Sequence, residues 1–196
     1  TMYGMIGAIA YIVMVVGRIP IVLFLRYDPK DVIITIGGFM FGPLSAFLVS
    51  VMVSFVEMFT VSDNGVIGFV MNIISTSAFA CTAAYIYKRK KTLQGAVMGL
   101  ISGCILMTLV MILWNYIITP LYLGYPRETV AKMLIPAFLP FNLLKGGLNA
   151  TLTILLYKPL VSSLQKSNLL EGLAESNQLK KANAGVMLVT DRKSVV

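Results

Sequence analysis

Histidine is absent from the 196 residues, and charge is scarce: 16 basic and 8 acidic side chains, 12% in all. A soluble domain carries roughly a quarter of its residues charged to stay in water. Without histidine there is no serine-type triad, no imidazole metal site and no histidine proton relay, so most of the usual catalytic machinery is excluded. Cysteine is limited to Cys81 and Cys104, each inside an apolar run, which reads as two small core side chains and neither a disulfide nor a metal pair. There is also no G-x-x-x-x-G-K-[ST] motif, hence no phosphate-cradling loop for ATP. Residues 92–126 hold no charged side chain, and residues 32–87 hold only the acids Glu57 and Asp63. With 58% hydrophobic residues overall, such stretches are solvated by lipid.

What is present is a series of apolar runs near the roughly 20 residues that a spanning helix needs: 2–25, 64–87, 93–118 and 135–157. The run 32–61 is too long for one comfortable span and is interrupted by Gly37-Gly38 and Gly42-Pro43, which predicts a short helix 32–41 followed by a second helix 43–59. Thr1 in place of methionine implies a truncated or processed start, and the first run is too long for a removed signal peptide. The cluster Lys88-Arg89-Lys90-Lys91 and the basic residues after the last run mark the cytoplasmic side. The helix 93–118 therefore runs outward and the segment 119–140, with four prolines and the patch Arg127, Glu128 and Lys132, forms an outer cap that includes a short interfacial helix. Six crossings put the amino terminus inside and five put it outside; charge counting does not choose. Residues 164–196 turn polar and read as a cytoplasmic tail, poorly ordered or in part non-native, after a membrane domain 1–163.

Polar side chains at membrane depth are costly, so their positions carry the functional signal. Asn142, Lys145, Asn149 and Thr153 fall at i, i+3, i+7 and i+11 and share one helical face, which must meet protein or a water-filled cavity. Lys145 reads either as a ligand contact or as a lysine snorkelling to the interface. Asn115, flanked by Trp114 and Tyr116, lies at the same depth on the preceding helix, with the aromatics forming an interfacial belt or the wall of a flat ligand site. Asn72 and Thr76 begin another helix at that level, either as an interhelical hydrogen bond or as part of the same site. Gly95, Gly99 and Gly103 make a groove for close helix packing, and Gly4 and Ala8, continued by Ile12, form a small-residue stripe that packs internally or docks another membrane subunit. Glu57 and Asp63 fall at a loop on this reading, and Arg18 either reaches the interface or pairs with one of them.

The stretch Leu25-Arg26-Tyr27-Asp28-Pro29-Lys30-Asp31-Val32 with Gly37-Gly38-Phe39-Met40-Phe41-Gly42-Pro43 resembles the first loop and second helix of the substrate-binding S components of energy-coupling factor (ECF) vitamin transporters. Asn115-Tyr116, Thr119-Pro120-Leu121-Tyr122, Pro140-Phe141-Asn142-Leu143-Leu144-Lys145-Gly146 and Leu156-Tyr157-Lys158 are similar to the riboflavin-specific members in particular, and the likeness covers roughly residues 3–163. The resemblance implies an all-α integral membrane fold of six transmembrane helices, both termini in the cytoplasm, and one vitamin held near the outer surface under capping loops. By position it implies Asn115, Asn142 and Lys145 as flavin contacts and Tyr27 and Asp28 as part of a lid; the reading of polar and aromatic residues at membrane depth adds Asn72, Asn149 and Trp114 as candidate binding residues. The resemblance further implies docking of a transmembrane coupling subunit on Gly4, Ala8 and Ile12, where the family has an Ala-xxx-Ala pair, and ATP hydrolysis by two partner ATPase subunits.

The chemistry of an isoalloxazine agrees: its pyrimidine edge alternates carbonyl oxygens with a ring N–H, to which asparagine amides offer donor and acceptor and a lysine a donor. The expected function is therefore high-affinity riboflavin capture for ATP-driven uptake at the cell membrane, with riboflavin as cargo, no resident cofactor, no metal, no nucleic acid and no catalysis. The alternatives are an S component for pantothenate or thiamine and a membrane scaffold in which the polar stripe is interhelical glue.

Overall fold

The computed structural model describes residues 2–22, 25–61, 65–124 and 126–166. The chain falls into two units, Thr1–Ile154 and Leu155–Val196, and the candidate site lies within the first. Residues 167–196, most of the expected tail, lie outside the described residues, as does Asp63.

The first helix, α1 (Met2–Gly17), is shorter than the predicted run 2–25. Pro20 forces Ile19 into extended backbone and lacks the donor a helix would need, so the chain leaves α1 at Gly17 and turns into a two-stranded antiparallel hairpin, β1 (Ile19–Val22) and β2 (Leu25–Tyr27). Ile19 pairs with Tyr27 and Pro20 with Arg26, with an irregularity between Pro20 and Val22. The long run then breaks as expected into α2 (Lys30–Phe41) and α3 (Pro43–Thr60). Gly42 sits between them at φ +97°, a conformation that favours glycine, and Pro43 occupies the first turn of α3, where its missing N–H costs nothing. At 12 residues α2 rises only about 18 Å, well short of the hydrocarbon core.

Two long helices follow, α4 (Gly65–Lys90) and α5 (Leu93–Leu123). The Thr92 side chain caps α5 by accepting from the Gly95 N–H at 3.1 Å, and Gly124 at φ +69° ends it. The predicted boundary at residue 118 is corrected: α5 runs through Pro120, as membrane helices tolerate proline where neighbouring groups re-satisfy the backbone. The expected interfacial helix is α6 (Arg127–Met133); a π-helical turn (Leu134–Phe138) containing Pro136 leads into α7 (Leu139–Lys166), which starts four residues later than predicted and includes residues 164–166 of the expected tail.

By length and composition α3, α4 and the segment Leu93–Leu121 of α5 are each apolar enough to cross a membrane, and α1 is a shorter apolar helix. Packing inverts the soluble pattern. Large apolar side chains such as Leu44, Phe59, Leu109 and Leu113 face outward, while small and polar ones are buried. A Cβ on Gly99 would lie 2.7 Å from the Ala83 carbonyl oxygen and one on Gly103 2.6 Å from that of Phe79, so the glycine groove of α5 does receive α4 as the spacing predicts. Cys81 packs against the cluster of Ala10, Ile34, Ala46, Val49, Val53 and Ala80, and Cys104 against that of Phe79, Ala83, Leu100, Met107 and Met111. Both thiols are free.

Candidate functional site

The hairpin delivers the chain to α2 with two charged residues in its first turn, Lys30 and Asp31, both fully buried. An anion is favoured at this end of a helix by the backbone dipole, but burial still requires partners. Asp31 Oδ1 accepts from the Thr76 hydroxyl of α4 at 2.7 Å, and Oδ2 accepts from Asn149 Nδ2 of α7 at 3.2 Å while lying 3.3 Å from Lys145 Nζ. One carboxylate thus holds three helices. Asn149 in turn accepts at Oδ1 from the Tyr27 hydroxyl, 2.8 Å away, which ties β2 to α7. Burial, and then the charges of Asp31 and Asp28, push the Tyr27 phenol up to about 12, so it remains a neutral donor at any physiological pH.

A second cluster lies against α3. Glu57 is buried inside that helix and not at a loop as the sequence suggests, because α3 continues to Thr60. Its Oε2 accepts from Lys30 Nζ and its Oε1 from Arg18 Nη2 at 3.4 Å. Arg18 also donates from Nη1 to the Val61 carbonyl at 3.2 Å and places Nε 3.1 Å from Asp28 Oδ1. The Asp28 contact is a charge pair without hydrogen-bond alignment. Among the described residues of both clusters, three cations, Arg18, Lys30 and Lys145, meet three anions, Asp28, Asp31 and Glu57, and these formal charges cancel.

The polar stripe on α7 faces inward: Asn142, Lys145, Asn149 and Thr153 are all buried. Lys145, 6% exposed and paired with Asp31, does not snorkel, which corrects that reading. The structure brings Lys145, Asn149 and Tyr27 together around Asp31, whereas Asp28 belongs to the α3 cluster. Asn115 and Asn142 are buried but bond within their own helices: Asn115 donates to the Met111 carbonyl and accepts from Thr119, and Asn142 donates to the Phe138 carbonyl. Neither bonds to Lys145 among the described residues. Asn72 is buried one turn from Thr76 on α4, and it is Thr76 that makes the interhelical bond. Trp114 is half-buried against the Phe79 and Met107 cluster, its indole Nε1–H buried without an acceptor among the described residues. Tyr116 faces outward, as a belt residue does. Gly4, Ala8 and Ile12 lie exposed along α1, with open space at the Gly4 position, so the stripe does not pack internally.

Sequence reasoning missed Asp31, Lys30 and the buried place of Glu57. One signal was available: a lone acid within an apolar helix requires a cation, and the cations that precede Glu57 in the chain are Arg18, Arg26 and Lys30.

Residues 1–157 match the family model of the ECF transporter substrate-specific component. The chain is 29% identical to the riboflavin transporter RibU of Staphylococcus aureus over 83% of its own length and 90% of that protein. It is 31% identical to the riboflavin transporter RibU of Streptococcus thermophilus over 76% of its length and 74% of that protein. It is also 27% identical to the riboflavin transporter FmnP of Bacillus subtilis over 63% and 70% respectively. A solved structure described as the S component of a bacterial ECF transporter superposes with a TM-score of 0.68 at 29% identity, covering 83% of this chain and 94% of that one. The predominantly helical membrane fold, the polar interior and these matches converge: the chain belongs to the family of ECF transporter substrate-specific components.

Proposed function

We propose that this chain is a riboflavin-binding S component, which captures the vitamin at the outer face of the cell membrane and hands it inward in an ECF transporter. The observation that carries the reading is the buried polar stripe of α7, with Lys145 and Asn149 held at the foot of the hairpin. Asn115, Asn142 and Lys145 are the proposed contacts to the pyrimidine edge of the flavin. Each offers the donor or acceptor that such an edge requires, and the back-bonds of Asn115 and Asn142 fix their amides. Trp114, with its unanswered indole donor, Asn72 and Asn149 line the same proposed site, and Tyr27 and Asp28 seat the hairpin over it.

The membrane domain comprises residues 1–163 and the tail 164–196. Both termini face the cytoplasm, a placement supported by the basic cluster Lys88–Lys91 at the end of α4. The exposed stripe Gly4, Ala8 and Ile12 on α1 docks the transmembrane coupling subunit, and two ATPase subunits supply the energy that this chain has no motif to harvest. The chain itself catalyses nothing and carries no resident cofactor. Purified protein titrated with riboflavin should quench the flavin fluorescence saturably in the submicromolar range. Absence of quenching at micromolar riboflavin, or preferential binding of pantothenate or thiamine in a vitamin panel, would overturn the assignment.

A further inference from the structure

Lys145 and Asn149 stand one helical turn apart on α7 and share a single acceptor atom, Asp31 Oδ2, at 3.3 and 3.2 Å. The other oxygen of that carboxylate is fixed by Thr76 at 2.7 Å, so α2 and α4 together hold the anion that α7 consults. An ammonium on a flexible four-carbon stem selects no position unaided; a carboxylate pinned from a second helix selects one for it. Among the described residues Asp31 is the ion-pair partner of Lys145, so that carboxylate sets the side from which the ammonium is held. Asn149 passes the arrangement on, because its carbonyl oxygen receives the Tyr27 phenol and so carries the anchor of β2.

We infer that Asp31 is the positioning residue of the ligand site: it sets the Lys145 ammonium for the ligand and, through Asn149 and Tyr27, couples that ammonium to the seating of the hairpin. The inference rests on reading the α7 stripe as the riboflavin site. Asp31 touches no ligand in this account and acts through Lys145, so its loss must depend on whether Lys145 is present.

The test is a double-mutant cycle of Asp31→Asn and Lys145→Met, read by riboflavin fluorescence quenching in detergent and, without ligand, by thermal melting followed through the single tryptophan, Trp114. Asp31→Asn retains the volume of the side chain and an acceptor for Thr76 but removes the charge. It is expected to weaken riboflavin binding about tenfold or more, as loss of a charge-assisted bond does, yet to add less than about threefold when Lys145 is already methionine. Asp31→Glu, which keeps the charge, is expected to recover part of the lost affinity, and it carries the same cycle if Asp31→Asn does not accumulate folded. Equal losses in both backgrounds, or wild-type affinity in Asp31→Asn, would overturn the inference. If the unmutated protein binds no riboflavin, the proposed function fails instead, and the melting cycle then decides: non-additive destabilisation upholds Asp31 as the holder of Lys145, and additive destabilisation rejects it.

Discussion

The two ionic clusters beside the hairpin are built from the same kinds of charged residue and differ in the helix they engage, α3 for one and α7 for the other. On the α3 side each Glu57 oxygen answers its own cation, Lys30 and Arg18, and Arg18 also reaches Asp28 and a backbone carbonyl. On the α7 side one Asp31 oxygen is shared by a lysine and an amide, and the other is held by Thr76 of α4. The first cluster joins the hairpin to α3; the second joins it to α7, the helix that carries Asn142 and Lys145. The difference assigns stability to the first cluster and affinity to the second.

The largest effect should come from Glu57→Ala, which strands the fully buried Lys30 and removes one partner of the half-buried Arg18, and is expected to cost about 3–5 kcal/mol. Melting in detergent reads it, and the protein that remains folded should still bind riboflavin. Lys145→Met should do the reverse, lowering riboflavin affinity about 10- to 100-fold with a smaller loss of stability, because Asp31 keeps Thr76 and Asn149. Asn142→Leu removes a neutral amide and is expected to weaken binding about fivefold to tenfold, again by fluorescence titration, with the fold intact. A scaffold protein would lose nothing in either of these last two variants.

Tyr27→Phe deletes one neutral hydrogen bond to Asn149 and should weaken binding by about fivefold or less. Its pH dependence sharpens the comparison further. The folded phenol titrates near 12, above its ordinary value of 10.0, so the contribution of its hydrogen bond is fully present below pH 10 and disappears as the pH rises through 12. An ultraviolet phenolate titration should lose a late step in Tyr27→Phe, and binding should be flat in pH across the neutral range as far as this group is concerned.

Much of the fold was legible because lipid imposes a strong rule on sequence. The break at Gly42-Pro43 follows from missing donors and positive φ, and the glycine spacing on α5 follows from the 3.6-residue turn. The stripe on α7 was legible for the same reason. The early end of α1 was misjudged because Pro20 lies inside an apolar run whose hydropathy alone says helix, while the backbone constraint says hairpin. The helix through Pro120 was misjudged in the opposite sense, since a rule drawn from water overstates the cost of proline in a membrane. The Asp31 hub was hidden for a different reason. Residues 27, 31, 76, 145 and 149 come from four elements, and no local period joins them.

The measurement that bears most directly on the division between the clusters is riboflavin affinity set beside melting temperature for Glu57→Ala and Lys145→Met. The account predicts opposite profiles, with Glu57→Ala lowering the melting temperature more than the affinity and Lys145→Met lowering the affinity more than the melting temperature. Parallel losses in both quantities for both variants would contradict it.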